Sequence, residues 1–149
     1  MKQAAEGAFA ARMTSLPDAT GFVEGFCRQH GIGRDDQLRL TLVVEELFTN
    51  TVEHGHGGDS DAPIRLNLRV AAAELALFYE DAAPPFDALA HLAEQPPGLD
   101  EPLGTRSAGG LGIHLVQQLA TSARYAHEDG RNRLWIVLRR QGPGETPAC

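Results

Sequence analysis

Cysteine is scarce in this chain: it has only Cys27 and Cys149, and the second is the last residue. Two thiols in these positions do not make a disulfide framework, so reduced thiols in a cytoplasmic setting are the simplest reading. There is no apolar run of about eighteen residues, which argues against a membrane-spanning helix. The first seven residues, Met1 to Gly7, lack the apolar stretch of a secretory signal. Positive charge is also short. Thirteen Lys and Arg face twenty Asp and Glu, for a net charge of -7. Such an acidic balance disfavours nonspecific binding to nucleic acid or anionic membrane. No internal repeat is visible.

What is present describes one domain. The 149 residues, 42% hydrophobic and 22% charged, suit a single globular unit with its own core. The stretch 7–13 alternates weakly and is expected to form an edge strand. Leu16, Pro17 and Asp18 start a helix that runs to about His30, and Gly31 to Gly33 end it. A second helix is expected from about Asp35 to His54. Leu40, Val43, Val44, Leu47, Phe48 and Thr51 fall on one face at helical spacing. Residues 64–70 alternate with period two and read as a half-buried strand, with 75–79 as its neighbour. From Ala82 to Ala108 the pattern breaks into Pro, Gly and acidic residues, apart from a helical turn at 88–94. A connection this long suggests a lid or a binding loop. A third helix is expected at 111–123, short strands at 123–127 and 133–138 joined by a turn, and a frayed tail at 141–149. Trp135 is expected in the core. The sum is an α+β two-layer sandwich: a mixed or antiparallel sheet covered on one face by about three helices.

Three segments can carry chemistry. Glu46 and Asn50 are four residues apart and so lie one above the other on the second helix. Glutamate can accept a proton from a hydroxyl, and the asparagine oxygen suits a hard cation such as Mg²⁺. Glu45 projects about 100° away from Glu46, so spacing favours Glu46 as the base. As an isolated pair, two solvated polar residues would be the plainer reading. Asp81 stands where the strand 75–79 gives way to Ala82, Ala83, Pro84, Pro85, Phe86 and Asp87. A carboxylate there can accept from an exocyclic amine, or it can simply begin a turn. Gly109, Gly110, Leu111 and Gly112 precede an apolar helix, where backbone amides can hold an anion or merely form a hinge. No strand precedes them and Leu115 stands where a dinucleotide fingerprint needs glycine, so that fingerprint fails. His54, His56, Asp59 and Asp61 can be drawn as a metal cluster, but two histidines in a polar loop more often form a solvated turn. His114 reads as a packed or exposed residue.

In this order and register, the three segments resemble the Bergerat-type ATPase fold shared by gyrase, sensor histidine kinases and bacterial anti-sigma-factor serine kinases. The small stand-alone form of the last group is the nearest in pattern. The likeness runs from about Leu40 to Leu138. It rests on Glu46 and Asn50 followed by His54 and Gly55, on Asp81 with Pro85, Phe86 and Asp87, and on Gly109, Gly110, Leu111, Gly112 and Ile113, continuing through Tyr125 and Asp129, Gly130, Arg131 and Asn132 into the last strand.

The resemblance implies ATP and Mg²⁺ as cofactors. Asn50 would coordinate Mg²⁺ against the phosphates, and Glu46 would be the general base toward a serine or threonine hydroxyl on a partner. Asp81, with Ala83 and Phe86 beside it, would receive adenine. Gly109, Gly110, Leu111 and Gly112 would lie by the phosphates, and Arg106 would reach the terminal phosphate from a lid over 84–108. The implied partners are a sigma factor and an anti-anti-sigma protein of the STAS type, with a homodimer as the assembly, no direct nucleic-acid contact and no membrane. Ala83 departs from the family's usual glycine and would crowd the base or narrow its approach. It leaves a second function open: a nucleotide-gated binding switch without phosphate transfer. The catalytic domain of a sensor kinase fits less well, since 149 residues leave no room for a phospho-accepting hairpin.

Overall fold

The computed structural model describes residues 3–90, 116–118 and 120–141. Its frame is a five-stranded sheet of β1 (Gln3–Ala10), β2 (Pro63–Val70), β3 (Glu74–Asp81), β4 (Ala120–Glu128) and β5 (Arg131–Arg139). The spatial order is β1-β2-β3-β5-β4, and every neighbouring pair is antiparallel. Of the two sheet types left open by the sequence, the antiparallel one is formed. Helices α1 (Leu16–Gln29) and α2 (Arg34–Asn50) lie between β1 and β2 in sequence.

The core follows from period two meeting period 3.6. Ile64, Leu66 and Leu68 of β2, Leu75, Leu77 and Tyr79 of β3, and Leu134, Ile136 and Leu138 of β5 form one buried face. Against it α2 sets Leu40, Val43, Val44, Leu47 and Phe48, while α1 adds Ala19, Val23, Phe26 and Cys27. The stripe expected on the second helix is therefore the one that packs. Residues 88–90 and 116–118 are also helical, and Val116 joins the core. The rest of the expected third helix up to 115 lies outside the described residues, as does the tail at 142–149.

Several boundaries differ from the sequence expectation. The edge strand begins at Gln3 rather than Gly7, and chain pairing ends at Ala10. This alanine-rich segment has weak strand preference of its own. The full length of β2, from Val70 opposite Gln3 to Pro63 opposite Ala10, templates it. Gly7 leaves room there for two rings, since a Cβ would lie 3.0 Å from the Phe9 ring and 3.3 Å from Phe22. The expected third helix does not reach 123, because Ala120 already pairs with Leu138 in β4. Residues 120–123 choose the strand because β5 offers them an open ladder edge. The β4–β5 turn holds Asp129 and Gly130 at φ 53° and 73°, the left-handed pair that a tight hairpin demands.

Trp135 is not a core residue. It sits on the opposite face of β5 from Leu134 and Ile136, beside Phe78 of β3, with ring centroids 5.4 Å apart. The alternation along β5 decides this, since Asn132, Leu134, Ile136 and Leu138 already occupy the inward phase.

Candidate functional site

Helix α2 does not end in a free cap. It runs into one π-helical turn, Thr51–Gly55, closed by the His56 amide donating to the Thr51 carbonyl at 2.9 Å. Such turns cluster at functional sites because they redirect side chains within an otherwise regular helix. Thr51 faces the sheet because it continues the α2 stripe, with its amide donating to the Leu47 and Phe48 carbonyls. Its hydroxyl lies 2.8 Å from Oδ2 of Asp81, at the end of β3, and also contacts the Tyr79 hydroxyl. Asn50 is the residue immediately before this turn, and Glu46 is one helical turn earlier, about 6 Å along the axis. The Thr51–Asp81 contact sets the Glu46–Asn50 ridge beside the end of β3. Glu46 and Asn50 are half-buried, and Asp81 is 6% exposed.

Asp81 is held on both oxygens. Oδ1 accepts from the Ala83 amide at 3.0 Å and from Nδ2 of Asn132 at 2.9 Å, and Oδ2 accepts from Thr51. Each carboxylate oxygen has two acceptor directions, so Oδ2 keeps one for a ligand donor. A buried carboxylate needs such partners, since an isolated one would be driven neutral. Tyr79 is fully buried. Burial and the Asp81 carboxylate push its hydroxyl well above the usual tyrosine range, so it remains a neutral donor.

Asn132, 3% exposed at the inward phase of β5, ties the chain after β3 into shape. Its Nδ2 donates toward Asp81, the Ala83 carbonyl at 3.1 Å and the Pro84 carbonyl at 3.0 Å. Its Oδ1 accepts from the Phe86 amide at 3.0 Å and from the Tyr125 hydroxyl. The sequence placed Asn132 in a turn and, by resemblance, in the run from Tyr125 into the last strand, with no role for its side chain. The signal was a polar residue in phase with Leu134, Ile136 and Leu138. Tyr125, which also receives the Phe86 amide at 3.2 Å, has its pKa raised by partial burial and, less strongly, by Asp87 and Asp81. Asp87 caps the helical residues that follow by accepting from the Leu89 and Ala90 amides at 3.0 Å.

Ala83 faces the π turn with its methyl. It is 2% exposed, and a Cβ placed on Gly55 would lie 2.8 Å from the Ala83 methyl. The methyl therefore occupies the space left by Gly55 on the π turn. Phe86 is half-buried against the core, and its ring stacks loosely with His54 at 6.3 Å and 27°.

In the loop His54 to Asp61 the two aspartates are engaged by other groups. Asp59 accepts from the Met13 amide at 3.0 Å, and Asp61 pairs with Arg12 at 2.7 Å. No group of three metal-ligating side chains is found among the described residues. Arg106, Gly109, Gly110, Leu111, Gly112 and His114 lie outside the described residues, as does the expected lid beyond Ala90.

A helix ridge with an acid and an amide thus stands beside a buried strand-end aspartate in an α+β antiparallel sandwich. Residues 9–138 match the histidine kinase-like ATPase domain, and the chain belongs to that family. No curated protein matches the chain. Among solved structures it is similar to "The crystal structure of the RsbU and RsbW domains of Rv1364c from Mycobacterium tuberculosis", with 16% identity and a TM-score of 0.61. That likeness covers 92% of this chain and 32% of the other, so this chain spans about a third of its neighbour's length. It bears on the fold.

Proposed function

We propose that this protein is an ATP-binding anti-sigma regulatory factor that phosphorylates a serine or threonine of an anti-anti-sigma partner. The observation that carries the proposal is the contact of Thr51 with Asp81, which leaves Glu46 and Asn50 on the adjacent ridge. The likeness to a chain named for an RsbW domain supports the fold on which this reading stands.

Adenine would place its amino group on the remaining acceptor direction of Asp81 Oδ2. Asn132, Thr51 and the Ala83 amide hold that carboxylate in place. Asn50 is half-buried and has no side-chain hydrogen bond among the described residues, and its amide oxygen is the neutral, hard donor that Mg²⁺ accepts beside phosphates and waters. Bound there, Mg²⁺ would neutralise charge developing on the transferred phosphoryl group. Glu46, one turn away, would take the proton of the attacking hydroxyl. Gly109, Gly110, Leu111, Gly112 and Arg106 are proposed at the phosphates. A sigma factor, a STAS-type protein and a second copy of the chain are the proposed partners, and the cytoplasm is the proposed location. No helix among the described residues is long and apolar enough to cross a membrane.

Calorimetric titration with ATP, with and without Mg²⁺, tests the reading. Binding that strengthens with Mg²⁺ and is lost in Asp81→Asn is the expected result. Glu46→Ala should keep ATP affinity within about threefold and lower transfer to a cognate partner at least a hundredfold, the lower end of a general base's usual contribution of about 10²–10⁴. Transfer at the normal rate by Glu46→Ala would remove Glu46 from the chemistry. Absence of ATP binding by the unaltered protein at millimolar concentration would overturn the whole reading.

A further inference from the structure

The face of the sheet turned away from the helices is built unlike an ordinary solvated surface. Register places three rows of side chains across β2, β3, β5 and β4. The middle row is Asn67, Phe78, Trp135 and Arg124. On one side of it lie Arg69, Ala76 and Val137, and on the other Arg65, Glu80 and Arg133. Phe78 and Trp135 touch, and the Arg124 guanidinium lies 4.0 Å above the indole. A groove of about 390 Å³ opens over Phe78, Trp135, Ala76 and Val137. A second hollow of about 230 Å³ shares Asn67 and Phe78 with it and extends the depression to β1. No described element packs on this face.

Its charge opposes that of the chain. The protein carries -7 overall, yet arginines edge this groove on β2, β4 and β5. Glu80 is 7% exposed and already engaged by Arg131 at 3.0 Å, Arg133 at 2.9 Å and Arg65 at 3.7 Å. Glu6 of β1, Glu74 of β3 and Glu128 of β4 share the face with Glu80, and Arg65, Arg69, Arg124, Arg131, Arg133 and Arg139 outnumber these four carboxylates. Arg69 and Arg124, one on each side of the aromatic pair, have no carboxylate partner among the described residues. Adjacent strands are about 4.8 Å apart, so the three strands under the groove give a floor about 10 Å wide, close to the diameter of one α-helix.

We propose that this outer face docks an acidic amphipathic helix of a partner protein. Its apolar side would cover Phe78, Trp135 and Val137, and flanking carboxylates would reach Arg69 and Arg124. Burial of the aromatic pair supplies affinity, and the unpaired guanidiniums supply orientation and partner choice. A second copy of the chain is the poorer occupant, because it would bring the same arginine-edged face against this one. The site is separate from the nucleotide site and stands whether or not ATP is bound.

Trp135 is the only tryptophan, so its emission reports on this groove alone. The probe is a helical peptide of about five turns with leucine on one face and glutamate on both flanks, and its control carries lysine in place of glutamate. The glutamate peptide should shift Trp135 emission to the blue in a saturable way and bind by calorimetry. Affinity should fall at least tenfold in the double variant Arg69→Glu with Arg124→Glu, and also as salt is raised. Both arginines are exposed, so the fold should persist, and thermal melting checks it. Ala76→Glu, which sets a carboxylate in the groove, is a second variant expected to weaken the same peptide. An unchanged Trp135 signal at millimolar peptide, or an equal response to the lysine peptide, would overturn the proposal. So would sedimentation showing that Trp135 is already covered by self-association.

Discussion

At the scale of single residues, a few buried polar groups carry the site. Asn132 serves two tasks through one amide: it pins Asp81, and it closes the turn from Ala83 to Phe86. Asn132→Leu removes both. It takes one partner each from the Phe86 amide and Asp81 and removes the asparagine donor from the Ala83 and Pro84 carbonyls, and a buried polar group left unsatisfied costs about 1–3 kcal/mol. A loss of about 2–4 kcal/mol in denaturant unfolding is expected, together with weakened ATP binding. Tyr79→Phe is the milder change. It removes one hydroxyl from contact with Thr51 and the Leu47 carbonyl, and should cost about 1–2 kcal/mol. Cys27 illustrates the opposite case, a group kept silent. Burial first, then the Asp36 and Glu24 charges, raise its thiol from 9.0 to about 11. At pH 8 it should resist alkylation in the native protein and react once unfolded. The unfolded thiol ionises at lower pH than the folded one. Its contribution to stability is therefore complete below pH 9 and is lost as pH rises toward about 11. A melting temperature unchanged between Cys27 and Cys27→Ala protein across that range would contradict this.

At the scale of elements, the π turn is the decisive piece. The apolar stripe of α2 is legible as a helix from its spacing, and Leu40 to Phe48 pack as that stripe requires. The switch to π geometry at Thr51 is not legible, because nothing local distinguishes the Asn50–Thr51 step from continued α-helix. Contacts with β3 supply the reason: Thr51 gains Asp81 and Tyr79, and Gly55 makes room for the Ala83 methyl. Gly55→Ala is expected to destabilise by about 1–3 kcal/mol through overpacking. The penalty should shrink when Ala83→Gly is added, since the two methyls compete for one space. A double-mutant cycle by thermal unfolding measures this, and simple additivity would show that the two positions do not share that space. The alternation of β5 was legible from Leu134 to Leu138. Extending it backward to Asn132 required knowing that Asp81 lies opposite in β3.

At the scale of the whole molecule, the antiparallel sheet separates two kinds of surface. The helical side holds the core and the proposed nucleotide site. Leu66→Ala, at the centre of that core and 1% exposed, should cost about 2–5 kcal/mol, because the strands on either side restrict collapse of the cavity. A chemical denaturation curve with an unchanged slope would confirm that the loss is one of stability alone. The sequence by itself determined the elements whose pattern is local: α1, α2, the strands flanking the β2–β3 turn, the Asp129–Gly130 hairpin, and the order in which Glu46, Asn50 and Asp81 occur. Hydrophobic period and turn chemistry are properties of short windows, so they can be read without a partner. Tertiary structure alone decided the pairing of β1 from Gln3, the strand at 120–123, the outward place of Trp135, and the meeting of Thr51, Ala83 and Asn132 around Asp81. Each of these depends on a residue distant in sequence filling a space or offering a hydrogen bond, and no local window contains both halves of such a contact.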